Sequence, residues 1–216
     1  EAINEAFYQS FYKWLSDERG LADASISNHI KVLKTFMKWS RDKGYHNTKE
    51  WEKFWRDRRT GDSMALTLEE VRTIRDIDLS AKPRLARIRD LFLLQIFTGM
   101  RYGDIERIAP SNFDDDAGII RLTTEKSDSA CIIPLTRPLR QLLMRYPSRL
   151  FEFPSSVKMN EYLKELGVLV GMTGNITISH YKGGERVEKN FRRADLVATH
   201  VARRTFISLS TEFGLS

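Results

Sequence analysis

Leu91-Phe92-Leu93-Leu94-Gln95-Ile96-Phe97-Thr98-Gly99-Met100-Arg101-Tyr102-Gly103-Asp104 is the stretch on which the fold turns. Pro83 suits the first position of a helix, where its missing N–H is not needed. From there Ile88, Leu91, Phe92, Leu94, Gln95 and Ile96 crowd so many apolar groups together that the spacing predicts a central, largely buried helix. Gly99 ends it, and an arginine follows with an acid three residues later. A helix buried this completely needs neighbours on several sides.

Those neighbours are visible on both flanks. Upstream, Thr67-Leu68-Glu69-Glu70 has the capping-box form, and a helix is expected from there to about Leu79. Downstream, a short helical segment is expected around Ile105. Gly118-Ile119-Ile120-Arg121-Leu122-Thr123 and Ala130-Cys131-Ile132-Ile133-Pro134 read as two strands joined through Glu125-Lys126-Ser127-Asp128. Helices are predicted over 136–146 and 156–170, a second hairpin over 175–192 turning at Gly183-Gly184, and a last helix from near Thr199 to Phe213. The first sixty residues read as helical. Ile3, Phe7, Phe11, Trp14 and Leu15 form one apolar face, and Ile26, Ile30, Leu33, Phe36, Met37 and Ser40 another. Residues 59 to 65 turn small and polar and read as a linker. The expected fold is α+β, mainly α with small β hairpins, divided into a helical unit over 1–60 and a mixed α/β unit over 61–216.

Composition narrows the function. The 216 residues carry 35 basic and 29 acidic side chains, a net charge of +6, which favours a polyanionic partner. Cys131 is the single cysteine, so a disulfide framework and zinc sites built on several thiolates are excluded. It reads as a small buried strand residue. No run of roughly 20 apolar residues is present, and Glu1-Ala2-Ile3-Asn4-Glu5 lacks a signal-peptide layout, so a soluble cytoplasmic protein without membrane contact is expected. Asp114-Asp115-Asp116 could suggest a metal-dependent nuclease, but three acids before Gly118 fit a solvated turn better. His29, His46 and His180 show no ligand spacing, and no metal or cofactor is expected.

Three separated pieces carry the chemistry: Thr98-Gly99-Met100-Arg101-Tyr102-Gly103-Asp104, then Lys126 at a hairpin tip, then Thr199-His200-Val201-Ala202-Arg203-Arg204-Thr205-Phe206. The last places His200 and Arg203 one turn apart on one helix face. The order T-G-x-R-x-x-D, hairpin lysine, H-x-x-R-x-T-F resembles the active-site signature of tyrosine recombinases, in the branch of phage and conjugative-transposon integrases. The resemblance covers nearly the whole chain and implies a helical core-binding domain ahead of a mixed catalytic domain. By resemblance, Arg101 and Arg203 clamp the scissile phosphate, Lys126 protonates the leaving 5′ oxygen, and His200 accepts a proton or hydrogen-bonds the phosphate. Asp104 supports the first arginine. Arginine suits this work because its planar fork donates two parallel hydrogen bonds to phosphate oxygens and stays charged.

The implied activity is site-specific DNA integration through a 3′-phosphotyrosyl intermediate. The implied partners are double-stranded DNA and, for the full-length protein, three further copies in a tetramer. The chain departs from the family's common H-x-L-R-H at Ala202 and Arg204, and Arg204 is expected to touch DNA. None of the seven tyrosines lies beyond Arg203, so the fragment is expected to bind DNA as a monomer without cleaving it. Lys31, Lys34, Lys38 and Arg41 fall at helical spacing and suit a phosphate backbone. Each residue also has a plainer reading: Arg101 paired with Asp104, Lys126 solvated in a turn, His200 serving local amides, the lysine row as an ordinary wet helix face. The alternative function is a non-catalytic DNA-binding or architectural module of the same fold.

Overall fold

The computed structural model describes residues 3–55, 57, 59, 61–124 and 129–214. The architecture is α+β, mainly helical, with a three-stranded and a two-stranded sheet. In chain order the elements are α1 (Glu5–Lys13), α2 (Asp23–Asp42), α3 (Leu68–Asp76), α4 (Pro83–Thr98) and α5 (Tyr102–Ile105). They continue as β1 (Phe113–Asp114), β2 (Ile119–Thr123), β3 (Ala130–Pro134), α6 (Arg137–Leu143), α7 (Ser156–Leu169), β4 (Asn175–Lys182), β5 (Glu185–Arg192) and α8 (Thr199–Glu212). The chain divides into two compact units, 1–63 with 177–190 and 64–176 with 191–216.

In the first unit, Tyr8, Leu15, Ile26, Ile30, Met37, Trp51 and Phe54 form the core. Asn4 caps α1 by accepting from the Phe7 amide, and a π-helical stretch, Trp14–Glu18, extends the helix. Trp14 and Phe36, expected to face inward, are 41% and 53% exposed. The α2 stripe that is buried is the narrower one of Ile26, Ile30 and Met37, and Phe36 packs instead at a tilt against the exposed Trp39. The segment expected to be a linker is tied down. The Asp62 amide donates to the Ser179 carbonyl at 3.0 Å, and the Asp62 carboxylate accepts from the Ser179 hydroxyl. Gly61 allows this approach, since a Cβ there would collide with the Ser179 carbonyl.

The hairpin tip belongs to the same unit. The Gly183 and Gly184 amides each donate to the Asp23 carboxylate at 2.8 Å, and Asp23 is 2% exposed. Arg59 makes a bidentate pair with Asp57, donates to the Gly184 carbonyl and stacks on the Tyr181 ring at 4.1 Å. Arg59 holds the Asp57 carboxyl below the usual carboxylate range.

In the second unit α4 is the axis. Leu85, Ile88, Leu91, Phe92, Leu93, Leu94 and Ile96 are all buried, and α3, α6, α7 and α8 pack around the helix. Truncating one such side chain to alanine costs about 2–5 kcal/mol, so this helix sets where its C-terminal end lies. The capping box at Thr67 and Glu70 forms as expected. Burial raises the Glu70 carboxyl, but hydrogen bonds from Arg193 and the Thr67 amide outweigh it and hold the group below its ordinary value. β2 pairs antiparallel with β3 in the register Arg121 to Ile132, and the unforeseen β1 adds Phe113 opposite Ile120. Among the described residues no helix is long and apolar enough to cross a membrane.

Candidate active site

α4 ends in a turn whose conformation follows from its residues. Gly99 adopts φ +65°, a left-handed cap, and its amide donates to the Gln95 carbonyl at 2.9 Å. A Cβ at Gly99 would lie 2.5 Å from the Phe206 ring, so α8 packs directly against bare backbone. Arg101 leaves this turn in extended conformation and heads α5.

α8 is held at both ends of its first two turns. The Thr199 amide donates to Asn160 Oδ1 at 2.9 Å, and the fully buried Thr205 hydroxyl accepts from the Leu66 amide at 2.9 Å. Between these anchors Arg203 Nη1 donates to the Gly99 carbonyl at 2.5 Å. Arg101 and Arg203, far apart in sequence, therefore line one cleft of about 540 Å³.

Asp104, with its side chain 5% exposed, sits in the cleft wall with its oxygens 3.7 Å from Arg101 Nη1 and 3.2 Å from Arg107 Nη2. Arg101 keeps 42% of its side chain exposed while lining the cleft. β3 supplies the opposite wall through Cys131, Ile132 and Ile133. Cys131 is thus a half-buried wall residue of the cleft rather than an interior strand residue. Two guanidinium groups beside an apolar wall are chemically suited to an oxyanion, because such walls lower the local dielectric while the forks supply donors.

Lys126 lies outside the described residues. Its neighbours Thr124 and Ser129 line the cleft and close the β2–β3 hairpin through a 3.0 Å bond from the Thr124 amide to the Ser129 carbonyl. His200 is exposed one turn before Arg203 and is not among the described residues lining the cleft. Arg204 is exposed.

On α2, Lys31 and Lys38 are exposed, whereas Lys34 and Arg41 turn toward the 3-10 segment Glu50–Lys53. Lys34 Nζ donates to the Glu52 and Phe54 carbonyls at 2.7 and 3.1 Å. Arg41 pairs with Glu52 at 2.6 Å and lies over Trp51. Asn160 was not singled out in the sequence, Gln95 was read only as part of the apolar run of α4, and Thr205 and Phe206 only as part of the H-x-x-R-x-T-F pattern. The signal for Gln95 was present in the sequence: an amide in the middle of an otherwise apolar helix demands a partner.

Tyr102 follows Arg101 directly. Burial pushes its phenol up to about 12, and its hydroxyl donates to the Pro154 carbonyl at 2.5 Å, so it is a structural donor.

No protein-family model and no curated protein matches the sequence. Solved structures do match. A lambda integrase dimer bound to a COC′ core site is 17% identical with TM-score 0.70, over 99% of this chain and 73% of that one. The Tn1549 transposon integrase in complex with circular intermediate DNA is 12% identical with TM-score 0.64, over 100% and 75%. XerH site-specific recombinase bound to palindromic difH substrate, in a post-cleavage complex, is 19% identical with TM-score 0.64, over 98% and 60%. This chain has the fold of those integrases and recombinases.

Proposed function

We propose that this chain is the DNA-binding and phosphate-clamping core of a site-specific recombinase of the tyrosine recombinase type. The convergence of Arg101 and Arg203 on one cleft carries this reading. Attack by a hydroxyl on a phosphodiester builds charge on the non-bridging oxygens, and preorganised donors aimed there lower the barrier most. Arg101 and Arg203 are those donors. Asp104 orients Arg101 from a buried position, so the guanidinium does not collapse onto solvent. His200 hydrogen-bonds the phosphate or takes the attacking hydroxyl's proton, and Lys126 protonates the departing 5′ oxygen. As the tyrosine oxygen bonds to phosphorus, the bond to the 5′ oxygen breaks, leaving a 3′-phosphotyrosyl link that the same groups reverse in ligation. No metal enters this scheme.

The partner is double-stranded DNA in the cytoplasm. Lys31 and Lys38 supply phosphate contacts from α2 and Arg204 from α8, and tetramers assemble on paired duplexes. Several of the matching structures are complexes with DNA, and one is a lambda integrase tetramer bound to a Holliday junction, which supports this assembly.

The test uses the full-length protein and a nicked duplex carrying its recombination site. Arg101→Lys and Arg203→Lys should each reduce covalent complex by roughly 10³-fold or more while DNA affinity stays within a few fold. Cleavage at the wild-type rate in either variant sinks the proposal, as does loss of activity with EDTA. Tight binding with no cleavage in the unaltered protein leaves the architectural module as the answer.

A further inference from the structure

Gln95 is 2% exposed in the middle of α4, flanked by Leu94 and Ile96. An amide buried there costs about 1–3 kcal/mol wherever its polar atoms lack partners. Its Oε1 has none among the described residues. Its Nε2 donates to the Met100 carbonyl at 3.1 Å, and a leucine at this position would fill the space without the polar cost.

The bond falls on an informative atom. The Met100 carbonyl belongs to the peptide that leads into Arg101, so the plane of that peptide sets the direction in which Arg101 departs. The preceding peptide, between Gly99 and Met100, is held by Arg203 Nη1 on the Gly99 carbonyl and more loosely by Thr98 Oγ1, 3.5 Å from the Met100 amide. The Gln95 carbonyl receives the Gly99 amide. One residue therefore grips the turn twice, by main chain and side chain. The two peptides it holds, Thr98–Gly99 and Met100–Arg101, lie on either side of the one on which Arg203 rests, and the second of them carries Arg101.

We propose that Gln95 is a positioning residue that sets the separation and direction of the Arg101 and Arg203 guanidinium groups. It touches neither substrate nor reacting atom. The proposal rests on the cleft being an oxyanion site.

The test uses residues 1–216 with inorganic sulfate as the tetrahedral probe, read through the arginine Nε–Hε resonances. In the unaltered chain the Arg101 and Arg203 signals should move together on a single saturable curve, while the Arg193 signal, tied to Glu70, stays still. Arg101→Ala and Arg203→Ala should abolish that curve. Gln95→Leu and Gln95→Met should weaken it about tenfold, less than the roughly 10²-fold that a 1 Å misplacement can cost a reaction. They should also shift the sulfate-free Arg203 signal and leave Arg193 unchanged. A purely structural role would lower the melting temperature without that selective shift. If the arginine variants titrate like the unaltered chain, the oxyanion site itself fails. If they lose the curve but both Gln95 variants keep it, only the positioning role fails. Loss of folding in both Gln95 variants would make Gln95 a stability residue and overturn the proposal equally.

Discussion

Arg193 points its guanidinium at Glu70, with Nε and Nη2 at 2.5 and 2.7 Å from the two carboxylate oxygens, whereas Arg101 has Asp104 at 3.7 Å and keeps 42% of its side chain in solvent. Both belong to the second unit, and both sit beside an acid. The difference is how completely the acid is engaged by the arginine. A guanidinium whose fork is filled by a carboxylate joins α3 to the segment before α8 and has its Nε–Nη2 edge committed. A guanidinium whose acid is shared with Arg107 keeps its fork available. The hairpin tip repeats the first pattern in the other unit, where Arg59 is filled by Asp57, Gly184 and Tyr181. An arginine's function is thus read from its unused donors.

The largest effect that would break this contrast lies at Gly99. Gly99→Ala puts a Cβ against the Phe206 ring in a left-handed conformation, and should destabilise the second unit by roughly 2–4 kcal/mol in urea unfolding. Adding Phe206→Ala should restore a measurable part, and additivity of the two changes would show that the contact is unimportant.

Next in size, Arg193→Ala should cost about 1–3 kcal/mol, since it strips a half-buried carboxylate of its partner. Arg101→Ala should stay within about 0.5 kcal/mol of the unaltered chain, as exposed sites do. Equal losses would erase the distinction between filled and available forks.

The same pair gives a pH signature. The Glu70 carboxyl is depressed on folding, so its contribution is present above the unfolded value of about 4.3 and is lost as pH falls through the lower folded value. Glu70→Gln should flatten that part of the acid stability curve.

Asp23→Ala removes the acceptor of two hairpin amides and should cost about 1–3 kcal/mol. Faster amide exchange at Gly183 and Gly184 is the direct check.

The smallest effects fall on α2. Lys31→Gln and Lys38→Gln should each flatten the salt dependence of DNA binding by about 0.9 in slope and leave stability alone. Lys34→Gln should instead lower stability by about 1 kcal/mol, since its ammonium serves the Glu52 and Phe54 carbonyls. A salt-slope change from Lys34 without loss of stability would return it to the phosphate-facing row.

Most of the second unit was legible because its signals are local. Pro83 and Gly99 bracket α4, Thr67 and Glu70 cap α3, and the alternation over 118–134 marks β2 and β3. Phe36 and Trp14 misled because helical spacing assigns a face only relative to a partner, and here the partner surface is narrower than the apolar stripe. Lys34 and Arg41 lie on the same stripe as Lys31 and Lys38 by spacing alone. Only the course of residues 50–54, folded back along one edge of α2, separates the two pairs. β1 was invisible because two residues carry no periodicity.

By itself, the sequence determined which groups are present and in what order: a buried helix ending in glycine, an arginine after it, a second arginine one turn after a histidine, and enough positive charge to favour a polyanion. Whether those arginines face one cleft or two was decided by tertiary packing alone. The reason is that a guanidinium's direction depends on the peptide planes and side chains around it, and Gln95, Asn160 and the neighbouring pair Thr205 and Phe206, which fix those planes, come from three different places in the chain.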